Sequence, residues 1–376
     1  MGARKRILQF AETIFSGGVE RRRLALAKGL DKQKYQLKIV CTHARGALAE
    51  GFTKEGVEIY EVGAFKHPFH WSKHKVVLQI IKEYKPHIIH GAVFEGNTMA
   101  CIGGAIGRVP VVILEETSDP QNRSWKASWL LNIYSRFAHR IVAISPSVAS
   151  YLTDTAQIKR SKIQLINNGV EMPRTVPEEE VMVLNRKYNI QPADLVIGSV
   201  GRLRNFHKLF TDIIEAVALL EDISNIKILI VGEGQDRALI VETAKRLGLE
   251  ERLIMAGLQA DTAPFYRLMD VYCIASHMEG FGLVAAEAMF HQLPVVATAV
   301  GGLKGIVIDG ETGFLVPSHR PDKIAEKLQV LIDDSEMRRS MGAKGLARAQ
   351  QEYSAEVYVG KVHQLYQELL KEKGIK

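Results

Sequence analysis

What this sequence lacks narrows the reading at once. Its 376 residues contain no apolar run near the roughly 18 needed to cross a bilayer. Cysteine is scarce: Cys41, Cys101 and Cys273 are far apart and odd in number, which excludes a disulfide framework and a cysteine-type zinc site and fits a reducing cytoplasm. No Asp-x-Asp occurs anywhere. Paired carboxylates of that kind are a usual way to hold a metal on a diphosphate, so no metal site is expected. There is no zinc-finger spacing, basic zipper or RNA-recognition signature, so nucleic acid is not an expected partner. The short apolar stretch 7–11 after Arg4-Lys5-Arg6 runs into Glu12 and reads as a first strand, not as a leader.

What is there is globular. Hydrophobic residues make up 47% and charged residues 24%, and the length suits two domains. The net charge of +7 is uneven. Residues 1–175 hold 26 Lys and Arg against 14 Asp and Glu, a net +12; the rest hold 23 against 28, a net −5. A basic first half suits an anionic substrate or an anionic membrane surface. Candidate docking residues are Arg4, Lys5 and Arg6, the run Arg21-Arg22-Arg23, and Lys66, Lys73 and Lys75 beside Phe65, Phe69 and Trp71.

Short apolar runs alternate with amphipathic helical stretches almost throughout. Runs at 6–11, 37–41, 87–90, 109–114, 140–144 and 163–166 form a first series, and runs at 195–200, 227–231, 253–256, 271–275 and 294–298 form a second. Strands separated by helices without hairpin turns build parallel sheets. The expected fold is therefore α/β, two Rossmann-like doubly wound domains facing across a cleft. The expected boundaries are 1–172 for the first domain, 173–190 for a Pro-containing linker, 191–354 for the second domain, and 355–376 for a final helix. In such sheets ligands bind beyond the C-terminal ends of the strands.

The most informative segment follows the run at 271–275. Glu279-Gly280-Phe281-Gly282-Leu283 leads into a run of helix formers with Glu287 eight residues after Glu279. A strand, a glycine turn and a helix start present free backbone N–H groups to an anion. Carboxylates so near phosphates need neutral partners, and vicinal hydroxyls supply them. A ligand with a diol, a diphosphate and a second diol has that layout, and a nucleotide-sugar is one. The diphosphate also needs cations, and Arg202, Arg204 and Lys208 stand directly after the strand at 195–200. Gly17 and Gly18, between the first strand and first helix, allow close backbone approach to a ligand. Gly232-Glu233-Gly234 half-matches a dinucleotide fingerprint, but Arg237 occupies its sixth position, where close helix packing wants Gly or Ala.

These motifs resemble glycosyltransferase family 4. The resemblance rests on Glu279…Glu287 with Gly280-Phe281-Gly282-Leu283 inside it, on Pro294–Thr298 followed by Gly301-Gly302, on 310–317, on Asn168-Gly169-Val170 and on Gly17-Gly18. It implies a GT-B fold and a retaining, metal-free hexosyltransferase that needs no cofactor and takes a nucleotide-sugar, UDP-glucose by family habit, as donor. A lipid-linked or oligosaccharide acceptor in polysaccharide biosynthesis would suit the basic first domain, with the enzyme cytoplasmic and peripheral on the inner membrane face. The implied catalytic residues are Arg202 and Lys208, on the diphosphate, and Glu279. The implied donor contacts are Gly17, Gly18, Glu116, Arg204, Phe281, Gly282, Leu283 and Glu287, the last on the ribose hydroxyls. Two departures stand out. The family spaces its Arg and Lys five apart where Arg202 and Lys208 are six apart, so Arg204 can share the role. Glu116 stands where many members have a His on the donor sugar. His90 matches a common family histidine or is structural. A sugar-nucleotide epimerase, a sugar phosphorylase or a non-catalytic nucleotide-sugar binding protein could use the same frame.

Overall fold

The computed structural model describes residues 4–15, 17–117, 123–222 and 224–375. The chain divides into two compact units. One comprises Met1–Glu171 with Ser354–Lys376, the other Met172–Tyr353.

The first unit is built on seven parallel strands: β1 (Lys5–Phe10), β2 (Tyr35–Cys41), β3 (Glu58–Glu61), β4 (Ile88–Gly91), β5 (Val111–Glu116), β6 (Arg140–Ala143) and β7 (Ile163–Leu165). Their order is β3-β2-β1-β4-β5-β6-β7. Strands β4 and β5 are buried along their whole length, which is why they read as continuous apolar runs and not as alternation. The helices used below are α1 (Gly18–Gly29), α2 (Ala47–Lys54), α3 (Trp71–Tyr84), α4 (Val93–Ile106) and α5 (Trp125–Phe137). The chain's last helix, Ala355–Glu372, belongs to this unit, and its Tyr358, Val362, Leu365 and Tyr366 join Ile7, Leu26, Ile88 and Val111 in one apolar core. Its Ser354 cap accepts from the Val357 N–H, and the Ala355 N–H donates to Val170 O at 2.8 Å.

The basic run of α1 departs from the membrane-facing expectation. Arg21 is exposed, but Arg22 and Arg23 are 2% and 1% exposed. Arg22 Nη1 lies 2.5 Å and Arg23 Nη2 3.2 Å from the Glu115 carboxylate, and His90 Nε2 approaches the same group at 3.3 Å. Asn97 clamps the Glu115 backbone at both N–H and C=O. Burial alone would push the Glu115 carboxyl up, but the two guanidiniums hold it well below the usual carboxylate range. Only ionised Glu115 can offset two buried guanidiniums, so these arginines face inward.

The second unit carries six parallel strands: β8 (Leu195–Val200), β9 (Ile226–Val231), β10 (Leu253–Gly257), β11 (Val271–Ile274), β12 (Val295–Thr298) and β13 (Gly313–Val316). Their order is β10-β9-β8-β11-β12-β13, so the order reverses between β8 and β11. The stretch 173–190, expected as a linker, is part of this unit and holds the helix Glu178–Lys187. Pro177 precedes that helix, three glutamates in its first turn favour the N-terminal dipole, and Val181 is buried. Arg174 ties it down by bonding Glu180 and Asp261. Within the two main sheets, β3 and β13 lie outside the expected runs; β3 is an edge strand with a glutamate at each end, which hides its apolar signal.

Candidate active site

Strand β8 is buried throughout and delivers the chain to the basic loop 201–204. Leu203 turns inward at 0% exposure, so Arg202 and Arg204 on either side point outward. Neither guanidinium has a hydrogen-bond or ion-pair partner among the described residues. The loop is braced by its neighbour after β9. Leu203 N–H donates to Glu233 O at 3.0 Å, Asp236 N–H donates to Leu203 O at 3.2 Å, and Asn205 N–H donates to Asp236 Oδ2 at 2.6 Å. Gly232 has φ 141°, and a Cβ there would sit 1.9 Å from Gly201 O. The glycines that half-match a dinucleotide fingerprint therefore serve backbone packing against the basic loop.

After the loop comes a single helical turn, Asn205–Lys208, then Leu209 in the left-handed region, then the helix Phe210–Ala218. That turn aims Lys208 at the loop after β11, where its Nζ pairs with Glu279 Oε2. The same two loops are joined by the His277 N–H, which donates to His207 O at 2.9 Å. Gly302 N–H donates to Glu279 O at 2.8 Å and fixes the carboxylate's backbone. Phe281 is buried edge-on against Tyr353 with ring centres 5.7 Å apart. Gly282 follows at φ 107°, a conformation that favours glycine, and starts helix α6 (Leu283–Phe290). This helix has no side-chain cap and no acid in its first turn, so its N-terminal amides and dipole favour an anion.

Glu287 lies one turn further along α6. Tyr266 Oη donates to Glu287 Oε2 at 3.0 Å and also contacts Val284 O at 3.2 Å. Tyr266 is 1% exposed and stacks on His291 with ring centres 4.9 Å apart. Burial, helped by Arg267, pushes the His291 imidazole down to about 4, so it stays neutral against the ring. Neither Tyr266 nor His291 stood out in the sequence. Their only trace was their distance from Glu287, and Tyr266 is 21 residues away from it.

The structure thus joins Lys208 to Glu279 and sets Arg202, Arg204, Phe281, Gly282 and Leu283 on the loops and helix start around them. Gly17, Gly18 and Glu116 lie in the other unit. Gly17 caps α1, and Glu20 folds back over it: a Cβ on Gly17 would lie 2.2 Å from Glu20 Oε2. Glu116 is 1% exposed, and its Oε1 is bonded by Arg123 Nη2 at 2.6 Å and by the Thr117 N–H at 3.0 Å. His90 is fully buried, with Nδ1 2.8 Å from Tyr366 Oη, and burial and Arg23 push it down to about 4. Among the described residues no group of three or more His, Cys, Asp or Glu is placed to hold a metal ion.

Residues 16–174 match the family described as Glycosyltransferase Family 4, and residues 183–348 match Glycosyl transferases group 1. The capsular polysaccharide biosynthesis glycosyltransferase CapM of Staphylococcus aureus is 27% identical over 312 residues, covering 79% of this chain and 80% of that protein. The N-acetyl-alpha-D-glucosaminyl L-malate synthase of Bacillus anthracis is 25% identical over 232 residues, covering 62% of this chain and only 60% of that protein's length. Among solved structures, Anabaena HepE in complex with UDP superposes with a TM-score of 0.84 at 20% identity, over 97% of this chain and all of that one.

Proposed function

The chain belongs to the family 4, group 1 glycosyltransferases, and from that premise we propose that it moves glucose or a related hexose from UDP to a polysaccharide or lipid-linked acceptor, with retention and without a metal. The observation that carries this is the cation set at the C-terminal ends of β8 and β11: Lys208 paired with Glu279, and Arg202 and Arg204 with outward guanidiniums, beside the amide-lined start of α6. In this reading Arg202 and Lys208 hold the diphosphate, with Arg204 sharing the load. Glu279 and the backbone of Phe281 and Gly282 hold the donor sugar. Glu287, oriented by Tyr266, accepts from the ribose diol. UDP as donor base is supported by the UDP complex of HepE, which shares this fold.

Transfer breaks the bond between the anomeric carbon and the diphosphate oxygen. The electron pair leaves with the diphosphate, the acceptor oxygen bonds the anomeric carbon, and its proton passes to the leaving phosphate. Charge on the diphosphate is greatest as that bond breaks, so fixed cations and helix amides stabilise the transition state more than the bound donor. No helix among the described residues is long and apolar enough to cross a membrane. Peripheral attachment to the cytoplasmic membrane face, where a lipid-linked acceptor would lie, is part of this proposal.

Thermal-shift screening with UDP-, GDP- and ADP-sugars tests the donor, since a bound donor raises stability by RT ln(1 + [L]/Kd). UDP-glucose is expected to give the largest shift, unchanged by EDTA. A shift that disappears in EDTA and returns with Mg2+ or Mn2+ would contradict metal-free binding.

A further inference from the structure

Helix α5 presents an unusual outer face. Its inner side is well seated: Ser128, Leu131, Tyr134 and Ser135 are buried, Tyr134 Oη donates to Thr98 Oγ1 of α4, and Asn132 bonds the Ala156 and Gln157 carbonyls. Ser124 caps the start, and Lys162 bonds the Ser135 and Ala138 carbonyls at the end. The outer side carries Trp125 at 74%, Trp129 at 62% and Phe137 at 53% exposure. Lys126 and Arg136 are exposed on the same arc, and the helix contains no acidic residue. Trp125 and Trp129 are one turn apart, so both rings lie on one stripe. An ordinary solvated face carries mixed charges and few large rings; two of the chain's three tryptophans stand here in water.

We propose that α5 is a docking helix for an anionic lipid surface, with Trp125 and Trp129 seated at the headgroup boundary and Lys126 and Arg136 facing the phosphates. Charge decides the occupant. Residues 123–165 hold seven Lys and Arg against one Asp, and the whole unit holds 29 against 17. Rings mixed with cations and free of acids are the composition that lies in a membrane interface, where each cation near an acidic leaflet adds to binding. Helix α4 packs against both α3 and α5, so Phe69 and Trp71 at the start of α3 form a separate patch in the same layer. Of the basic run on α1, Arg22 and Arg23 are spent inside the protein. The biological purpose of docking rests on the lipid-linked acceptor proposed above.

The test uses the full chain with vesicles of phosphatidylcholine, alone or with phosphatidylglycerol. In a Trp71→Phe background the emission comes from Trp125 and Trp129, and it should shift to the blue with acidic vesicles only. Sedimentation with those vesicles should fall at least tenfold in W125A/W129A, and also at 1 M salt, where screening shortens to about 3 Å. The exposed sites should leave the melting temperature unchanged. Three results would overturn the proposal: no binding by the unaltered chain, equal binding by W125A/W129A, or a greater loss in F69A/W71A. A dimer in light scattering that W125A/W129A dissolves would also overturn it, by making a second copy the occupant. UDP-glucose binding, measured without lipid, should be the same in all variants. Its absence from the unaltered chain would sink the glycosyltransferase reading and leave the vesicle result standing.

Discussion

The two units share a strand order but handle charge in opposite ways. In the first, the charges near the strand ends are clustered and enclosed: Arg22, Arg23 and His90 surround Glu115, all at 2% exposure or less. In the second, Lys208 and Glu279 pair at about a fifth exposed, and Arg202 and Arg204 stand outward. The same residue types therefore do different work. A buried cluster built on one carboxylate is costly to break and adds little net stability. A pair that is still partly open to solvent can trade its partner for a ligand at smaller cost.

The largest effect should come from breaking the buried cluster. Glu115→Ala leaves two guanidiniums without their carboxylate and should cost about 3–5 kcal/mol in urea denaturation. A loss below about 1 kcal/mol would erase the contrast between the units. Lys208→Ala should do the reverse. Its effect on stability should stay within about 1 kcal/mol, while kcat falls roughly 10²–10³-fold and KM rises much less. Greater damage from Arg204→Ala would move the phosphate role to that residue.

Buried titratable groups in both units make stability depend on pH. His90 is depressed to about 4, so its contribution is full above the unfolded value of 6.5 and is lost as pH falls through about 4. Glu115 is also depressed, and its contribution is lost on further acidification below 4.5. His291 has the same sign as His90. Asp212, raised to about 6 by burial, has the opposite sign and loses its contribution as pH rises through about 6. The His90 contribution predicts that the melting temperature changes less favourably toward acid, between pH 6.5 and 4, in the unaltered chain than in His90→Gln. Parallel profiles in the unaltered chain and His90→Gln would show that the buried imidazole is not held neutral.

The smallest expected effect sharpens the account of Glu287. Tyr266→Phe removes one donor from its carboxylate and should weaken donor binding by about 1 kcal/mol. An unchanged affinity would make that hydrogen bond a packing detail.

Much of the fold was legible because its signals are local. Strand runs between helices gave two parallel sheets, and Glu279-Gly280-Phe281-Gly282 marked a strand-end turn within four residues. Lys208 and Glu279 were each legible as candidates, although 71 residues separate them. What stayed hidden depended on long-range partners. Nothing in Arg21-Arg22-Arg23 says which two face inward until Glu115, more than 90 residues on, is placed beside them. The linker reading failed because Pro177 and three glutamates look like a charged spacer, although they also begin a helix well. The α5 face was missed because a tryptophan in an amphipathic helix is normally assigned to the core.

The most direct test of the central claim, that the strand-end loops of the second unit hold a nucleotide-sugar, is a calorimetric titration of UDP-glucose in EDTA, comparing the unaltered chain with Glu287→Ala. The account predicts binding in both, weaker in Glu287→Ala by about 1–3 kcal/mol, because the ribose diol loses its acceptor. Equal affinity in the two proteins would contradict it.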